Sequence, residues 1–351
     1  MSIVYHINKI SELLEKQEEC DEKIKRYSLF PILDEEAYEF YQRQEMAHWS
    51  ATELDFTSDI PCYQNLNEKE KNLVDIILAF FLIGDGVICK NIVFRFLLEC
   101  KTFEESAMFI SQLHIELIHS ETYNLAAFTF KKDSESLANL ISSAENTPCV
   151  KRKIKFMEDH MHEDTPRHIR LVVYACSEGI FFCTSFAAIF WFRSKGLLNN
   201  FITSNELIAK DESLHRNYGV FLRNREIKQL NNTEEIKEQT IKLVKEAVAI
   251  EEEFCEQILP ESIDDFNAED LKTYTKLIAD GLLIDLGYEP IYNVKNPFTW
   301  MDGISFDQKS NFYEVRTAAY KKRSFADILN WKKRAGVEYN NTDPYQDDIE
   351  F

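Results

Sequence analysis

Glu68–Cys100, EKEKNLVDIILAFFLIGDGVICKNIVFRFLLEC, runs without a proline and with apolar side chains recurring at helical spacing. Its most apolar part carries a single acid, Asp85, with Gly84 and Gly86 on either side. Those glycines cost helix stability, which is tolerable where another backbone or a ligand must approach closely. A chain built on such a segment is expected to be almost entirely helical. With nine Gly and eight Pro in 351 residues, it lacks the corners that strand-and-turn folds need. The same reading places helices at Phe103–Phe130, Val150–His160, His168–Arg193, Asn205–Asn224, Glu234–Ile258 and Ala268–Leu286. HWSATELDF (His48–Phe56) has the pattern of a helix start.

Charge and cysteine usage narrow the function classes. A net charge of −20, from 60 acids against 40 bases, argues against nucleic-acid binding, which needs a dominant basic field. The basic runs KRKIK (Lys151–Lys155) and KKR (Lys321–Arg323) read as solvated surface. HMHEDTPRH (His160–His168) reads as a polar surface loop. Eight cysteines without a CxxC pair indicate neither a disulfide framework nor a zinc ribbon, and fit a reducing, intracellular compartment. The N-terminus shows no signal-peptide pattern. The apolar run Gly179–Phe192, GIFFCTSFAAIFWF, is shorter than the roughly 20 residues that span a bilayer, so it reads as a buried core helix.

IELIHSETY (Ile115–Tyr123) places Glu116, His119 and Tyr123 at offsets of three and four. On a helix they fall within roughly 60° of one another. The Glu-x-x-His spacing recurs at Glu212 and His215 in AKDESLH. Glu178 opens the most apolar run, and Asp85 sits in comparable surroundings. A carboxylate buried there must be paired, protonated or bound to metal. Taken singly, each acid reads as a surface or capping residue and each histidine as a hydrogen-bonded core residue. Jointly, Asp85, Glu116, His119, Glu178, Glu212 and His215 make the ligand set of a carboxylate-bridged dinuclear site in a helical bundle. Mixed oxygen and nitrogen donors suit iron or manganese. Tyr123 would lie close to one metal ion, with Phe182, Phe186 and Ile208 on the metal-facing stripes as an apolar wall. A phenol so placed is set up to lose an electron and a proton. Asp211 is spaced to serve as partner of either histidine.

LAFFLIGDGV, IELIHSETY, EGIFFCTSFAAIFW, SNELIAKDESLH, VKNPF and NFYEVR, in that order from Trp49 to about Tyr320, resemble the small, radical-generating subunit of class I ribonucleotide reductase, above all its eukaryotic and large-virus branch. The resemblance implies an all-α, ferritin-like bundle over residues 31–320, between an N-terminal arm (1–30) and a flexible tail (321–351). It implies a homodimer with two iron ions per subunit, manganese being acceptable to the same ligands. Dioxygen and an external electron donor would then generate a stable radical on Tyr123. Trp49 and Asp211 match the start of the radical path, with Asp211 partnering His119. The tail tyrosine of that path is nominated as Tyr320, with Tyr339 its competitor. YQDDIEF resembles the peptide that docks on the large subunit, Phe351 being its anchor. Cytoplasmic location, no nucleic acid and no membrane complete the expectation. The rival reading is a stand-alone ferritin-like oxidase or ferroxidase, which would need neither Trp49 and Asp211 nor a docking tail.

Overall fold

The protein is described by a computed structural model that covers residues 28–131 and 133–301. The N-terminal arm up to residue 27, the basic run Lys321–Arg323, Tyr320, Tyr339, Phe351 and the rest of the tail lie outside the described residues. Helices occupy Glu35–Ala47 (α1), Ile60–Asn65 (α2), Glu68–Asn91 (α3), Phe103–Lys131 (α4), Ser134–Asn146 (α5), Pro148–His160 (α6), Arg167–Gly179 (α7), Cys183–Ser194 (α8), Asn199–Ile227 (α9), Thr233–Ile258 (α10) and Ala268–Asp285 (α11). Among the described residues the one β feature is an isolated bridge between Ile263 and Phe266. The fold is all-α.

The described residues divide into two compact units, 28–48 with 98–111, and 49–97 with 112–301. In the smaller unit, Asp34 caps α1 by accepting from the Ala37 amide at 3.1 Å, and its second oxygen accepts from Thr102 Oγ1 at 3.2 Å. Leu33 donates its amide to Glu104 at 2.9 Å, and Ser111 its hydroxyl to Glu45 at 2.6 Å. The cap satisfies one of the amides that a helix start leaves orphaned, and the other three bonds tie the two segments of this unit together.

The larger unit holds the core. In α7 every residue from Ile169 to Glu178 is buried, Arg170 and Glu178 included, as is every residue of α8 from Cys183 to Phe192, the latter as expected of a helix apolar on all sides. Glu68–Glu99 and Arg167–Ser194 are long and apolar enough to cross a membrane by length and composition alone. The most apolar window of the second is 94% buried inside the structure, the signature of a core helix.

Several local expectations change. The segment read as one helix from His168 to Arg193 is broken at Ile180–Phe182. There the Phe181 amide reaches back to the Cys176 carbonyl at 3.1 Å, and Gly179 leaves room for the Arg216 side chain, whose Cδ would lie 3.1 Å from an added Cβ. The Glu68–Cys100 helix is α-helical only to Asn91 and continues as a π turn, Ile92–Phe96, and a 3-10 turn. HWSATELDF forms a helix start, a capping box of Ser50 with Glu53, and the helix it opens is a single 3-10 turn. HMHEDTPRH is a loop only at its centre: His160 ends α6 and His168 belongs to α7.

KRKIK is not uniformly solvated. Lys153 is fully buried, 2.6 Å from Glu251 Oε2 and donating to the Phe181 carbonyl at 2.8 Å. Its ammonium lies over the Phe254 and Phe80 rings, 3.5 and 4.0 Å from their centroids. It falls on the same stripe of α6 as buried Val150 and Met157. A basic residue on the inward stripe is buried with its helix, and an opposing acid neutralises it.

Candidate metal centre

Four helices of the larger unit carry the six residues singled out by sequence: Asp85 from α3, Glu116 and His119 from α4, Glu178 from the end of α7, Glu212 and His215 from α9. All six are buried. Helical periodicity accounts for this, because each residue lies on its helix's inward stripe: Phe81 and Ile88 flank Asp85 at four and three residues, and Ile208 precedes Glu212 by four.

Their donor atoms converge in two groups. Asp85, Glu116 and His119 form one; Glu116, Glu178, Glu212 and His215 form the other, and the ligand atoms of each lie within 4.8 Å of one another. Glu116 belongs to both. A carboxylate has two oxygens, so a shared carboxylate joins two adjacent cation sites.

His215 Nδ1 and Glu212 Oε2 hydrogen-bond at 3.0 Å, but several other donor atoms of the cluster have no hydrogen-bond partner. His119 Nδ1 lies 3.0 Å from Glu212 Oε1 and 3.4 Å from Glu116 Oε2, yet makes no hydrogen bond. Asp85 Oδ2, Glu116 Oε2 and Glu178 Oε2 are likewise buried without a hydrogen-bond partner. His215 Nδ1 stands 3.1 Å from Glu116 Oε1 and 3.0 Å from Glu212 Oε2. Leaving buried polar atoms without a partner is costly in a core. Divalent cations bound between them remove that cost, and the oxygen-rich donor set with two imidazoles fits a dinuclear metal centre.

Proton affinities point the same way. Burial, reinforced by Glu116, pushes the Asp85 carboxyl well above the usual carboxylate range. Burial, with the charges of Glu212 and Glu116, does the same to Glu178. For Glu116 burial also acts upward, but the His215 charge and the neighbouring imidazoles outweigh it and hold the group low. Burial alone would lower both imidazoles. The hydrogen bond to Asp211 and the adjoining carboxylates instead raise His119 well above its usual value, and Glu116 and Glu212 raise His215 to about 9.

A pH dependence follows. A histidine raised by folding contributes stability that is complete below its unfolded value of about 6.5 and is lost as pH climbs through the folded value, here about 9 for His215. Metal-free protein should therefore lose stability across that window, whereas bound cations displace these protons and remove the dependence. The difference in melting temperature between manganese-loaded and metal-free protein should widen from about pH 6.5 toward about pH 9. A difference that narrows over that range would contradict the argument.

Around the ligands stand residues of three kinds. Trp49 Nε1 donates to Asp211 Oδ2 at 2.8 Å, and the same oxygen lies 3.2 Å from His119 Nε2. The Trp49 and His119 rings stack with centroids 5.9 Å apart. Tyr123 is fully buried, its hydroxyl donating to Asn205 Oδ1 at 2.8 Å and its ring stacked on Phe81 at 4.3 Å and 3°. Phe182 and Phe186 in turn pack on Phe81. Burial, followed by the charge of Asp85, raises the phenol well above its ordinary value, so it stays protonated. Gln112 donates from Nε2 to Glu116 Oε1 at 3.0 Å and to Glu178 Oε1 at 2.9 Å.

Sequence reasoning missed Asn205, Phe81 and Gln112. Each had a positional signal: Asn205 precedes Glu212 by seven residues, while Phe81 precedes Asp85 and Gln112 precedes Glu116 by four, all on the inward stripes. Tyr320 and Tyr339 lie outside the described residues.

The chain matches the family described as "Ribonucleotide reductase, small chain" over residues 26–297. It is 38% identical over 304 residues to a ribonucleoside-diphosphate reductase small chain of Arabidopsis thaliana, covering 87% of this protein and 88% of that one. Identity to the small chain of variola virus is 37% over 298 residues, covering 85% and 92%. The ribonucleotide reductase Rnr4 homodimer of Saccharomyces cerevisiae superposes with a TM-score of 0.72 at 26% identity, covering 85% of this protein and 96% of the other. The dimanganese(II) NrdF protein of Streptococcus sanguinis shares the fold, with a TM-score of 0.74 at 19% identity over 80% of this protein and 99% of that one. The match spans most of the described helices and the relatives are covered along most of their own length, so the protein belongs to the ribonucleotide reductase small-chain family.

Proposed function

We propose that the protein is the radical-generating small subunit of a ribonucleoside-diphosphate reductase, with two iron ions held by Asp85, Glu116, His119, Glu178, Glu212 and His215. The observation that carries this reading is Glu116 belonging to two ligand groups at once, beside a buried phenol. When bound there, the metal pair would supply the oxidising power, drawn from dioxygen, for removal of an electron from Tyr123, with an external donor furnishing the further electron.

The remaining work falls to side chains. Tyr123 must give up its hydroxyl proton with the electron, because burial holds the phenol in its neutral form. Phe81 lies against its ring with Phe182 and Phe186 packed on Phe81, a hydrocarbon layer on that side that excludes the water that would quench a radical. Asp211 fixes the tautomer and orientation of His119, as hydrogen-bonded partners of metal ligands do, and joins that imidazole to Trp49. This linked trio supports Trp49 and Asp211 as the first steps of a path that leads, by way of Tyr320 or Tyr339 in the tail, to a large subunit. Iron is preferred to manganese on the resemblance; the ligands accept both.

Homodimer formation is supported by α4, which exposes Leu117, Leu125 and Phe128 along one face. Cytoplasmic location is supported by the seven described cysteines all being free.

Metal-free protein given ferrous iron and oxygen should develop a tyrosyl-radical paramagnetic resonance signal, and with its large subunit should reduce ribonucleoside diphosphates. Iron mineralisation without any radical would replace this reading with a stand-alone ferroxidase. Deleting Tyr345–Phe351 should leave the radical signal intact and abolish reductase activity with the large subunit. Retained activity would remove Phe351 from its docking role.

A further inference from the structure

The ligand cluster has one polar neighbour whose environment is built with unusual care. Gln112 is fully buried, and both hydrogens of its amide are committed, one to Glu116 Oε1 and one to Glu178 Oε1. Its Oε1 accepts from the Tyr174 hydroxyl at 2.5 Å. An amide can be turned by half a rotation, and only its hydrogen bonds decide which end faces where. In the opposite orientation, Oε1 would face two carboxylate oxygens. A phenol donating to Oε1 stabilises the orientation that presents NH2 to the ligands.

Tyr174 is held by features of two neighbouring segments. Gly219, in the interior of α9, is a residue that weakens a helix. A Cβ there would lie 2.5 Å from Tyr174 Cδ1 and 2.8 Å from Cε1, so only glycine admits the ring. On another side the ring meets Phe96 edge to face, 5.3 Å between centroids, and Phe96 is the last residue of the π turn Ile92–Phe96. The Tyr174 hydroxyl is thus placed by the missing side chain at Gly219 and the altered pitch after α3.

We propose that Tyr174 and Gln112 act in series as positioning residues of the metal centre, Tyr174 locking the Gln112 amide and Gln112 setting the orientation of the Glu116 and Glu178 carboxylates. Glu116 is the ligand common to both cation groups and Glu178 belongs to one, so a single amide orients carboxylates across the pair. The inference rests on the reading of the cluster as a dinuclear centre.

Anaerobic titration with manganese(II), followed by paramagnetic resonance, tests it on the full-length protein. Wild type should bind two manganese ions. Gln112→Leu should weaken binding by roughly 10- to 100-fold, the usual effect of removing a partner of metal ligands. Tyr174→Phe, which keeps the ring, should weaken it by about fivefold, the worth of one hydrogen bond, and change the spectrum of the bound pair. Because Tyr174 acts through Gln112, the double variant should bind no more weakly than Gln112→Leu alone. Wild-type affinity and spectrum in Tyr174→Phe would overturn the proposal, as would losses that simply add. Tyr174→Phe decides alone should Gln112→Leu fail to fold. Failure of the wild type to bind two ions would strike the dinuclear reading itself.

Discussion

Tyr123→Phe should bind two metal ions per subunit as the wild type does, consume dioxygen, and give no tyrosyl-radical signal. The geometry separates these outcomes. Tyr123 belongs to neither group of ligand atoms; its hydroxyl donates to Asn205 instead. Phenylalanine keeps the ring stacked on Phe81, removing only the hydroxyl group whose electron and proton are to be lost. The stability cost should be modest, about 1–3 kcal/mol for the donor taken from buried Asn205. Reductase activity with the large subunit should fall to background. Metal analysis beside paramagnetic resonance checks both halves. A tyrosyl signal that survives would move the radical to another phenol, Tyr174 being the first to examine because it reaches the ligands through Gln112.

Lys153→Met should destabilise metal-free protein by about 3–5 kcal/mol, a cost typical of breaking a buried ion pair by removing one partner. Methionine approximates the lysine stem in length and shape, so packing against Phe80 and Phe254 is largely kept. What is lost is the charge facing Glu251 and the donor to the Phe181 carbonyl. Burial already pushes the Glu251 carboxyl upward, and the ammonium of Lys153 is the strongest influence opposing that shift. Without it the acid becomes neutral in the core. Pairing the change with Glu251→Leu should recover most of the loss, since apolar replacements of both partners are often nearly neutral. Denaturant midpoints of wild type, the single variant and the double variant provide the comparison. A single variant within about 1 kcal/mol of wild type would show that the pair contributes little.

The parts of this molecule that sequence made legible are those governed by helical period alone. Asp85, Glu116, His119, Glu178, Glu212 and His215 could be assembled on paper because each lies on the buried stripe of a long helix, and the doubled Glu-x-x-His spacing linked two of those helices. Lys153 was misread because residue type was given more weight than position. Inside a basic run it looks solvated, while its spacing from Cys149, Val150, Phe156 and Met157 puts it on the inward face. Gln112 and Asn205 sat on inward stripes and were passed over because neither is charged. The close approach of Arg216 to Gly179, beside the helix break, joins residues some forty positions apart, and no local pattern contains that contact. The helix Ser134–Asn146 went unrecognised between Phe103–Lys131 and Pro148–His160.

The π turn at Ile92–Phe96 ties chain length to the centre. A π turn accommodates one residue more than the α-helical turn it replaces. Losing that residue would leave a regular helix and every ligand in place, but would rotate the residues beyond the turn by about 100° relative to α3. Phe96 would swing off the Tyr174 ring. In lineages that share this pairing, the segment should accept changes of side chain more readily than insertions or deletions. Its informative quantity is a count of residues, which substitution patterns do not record.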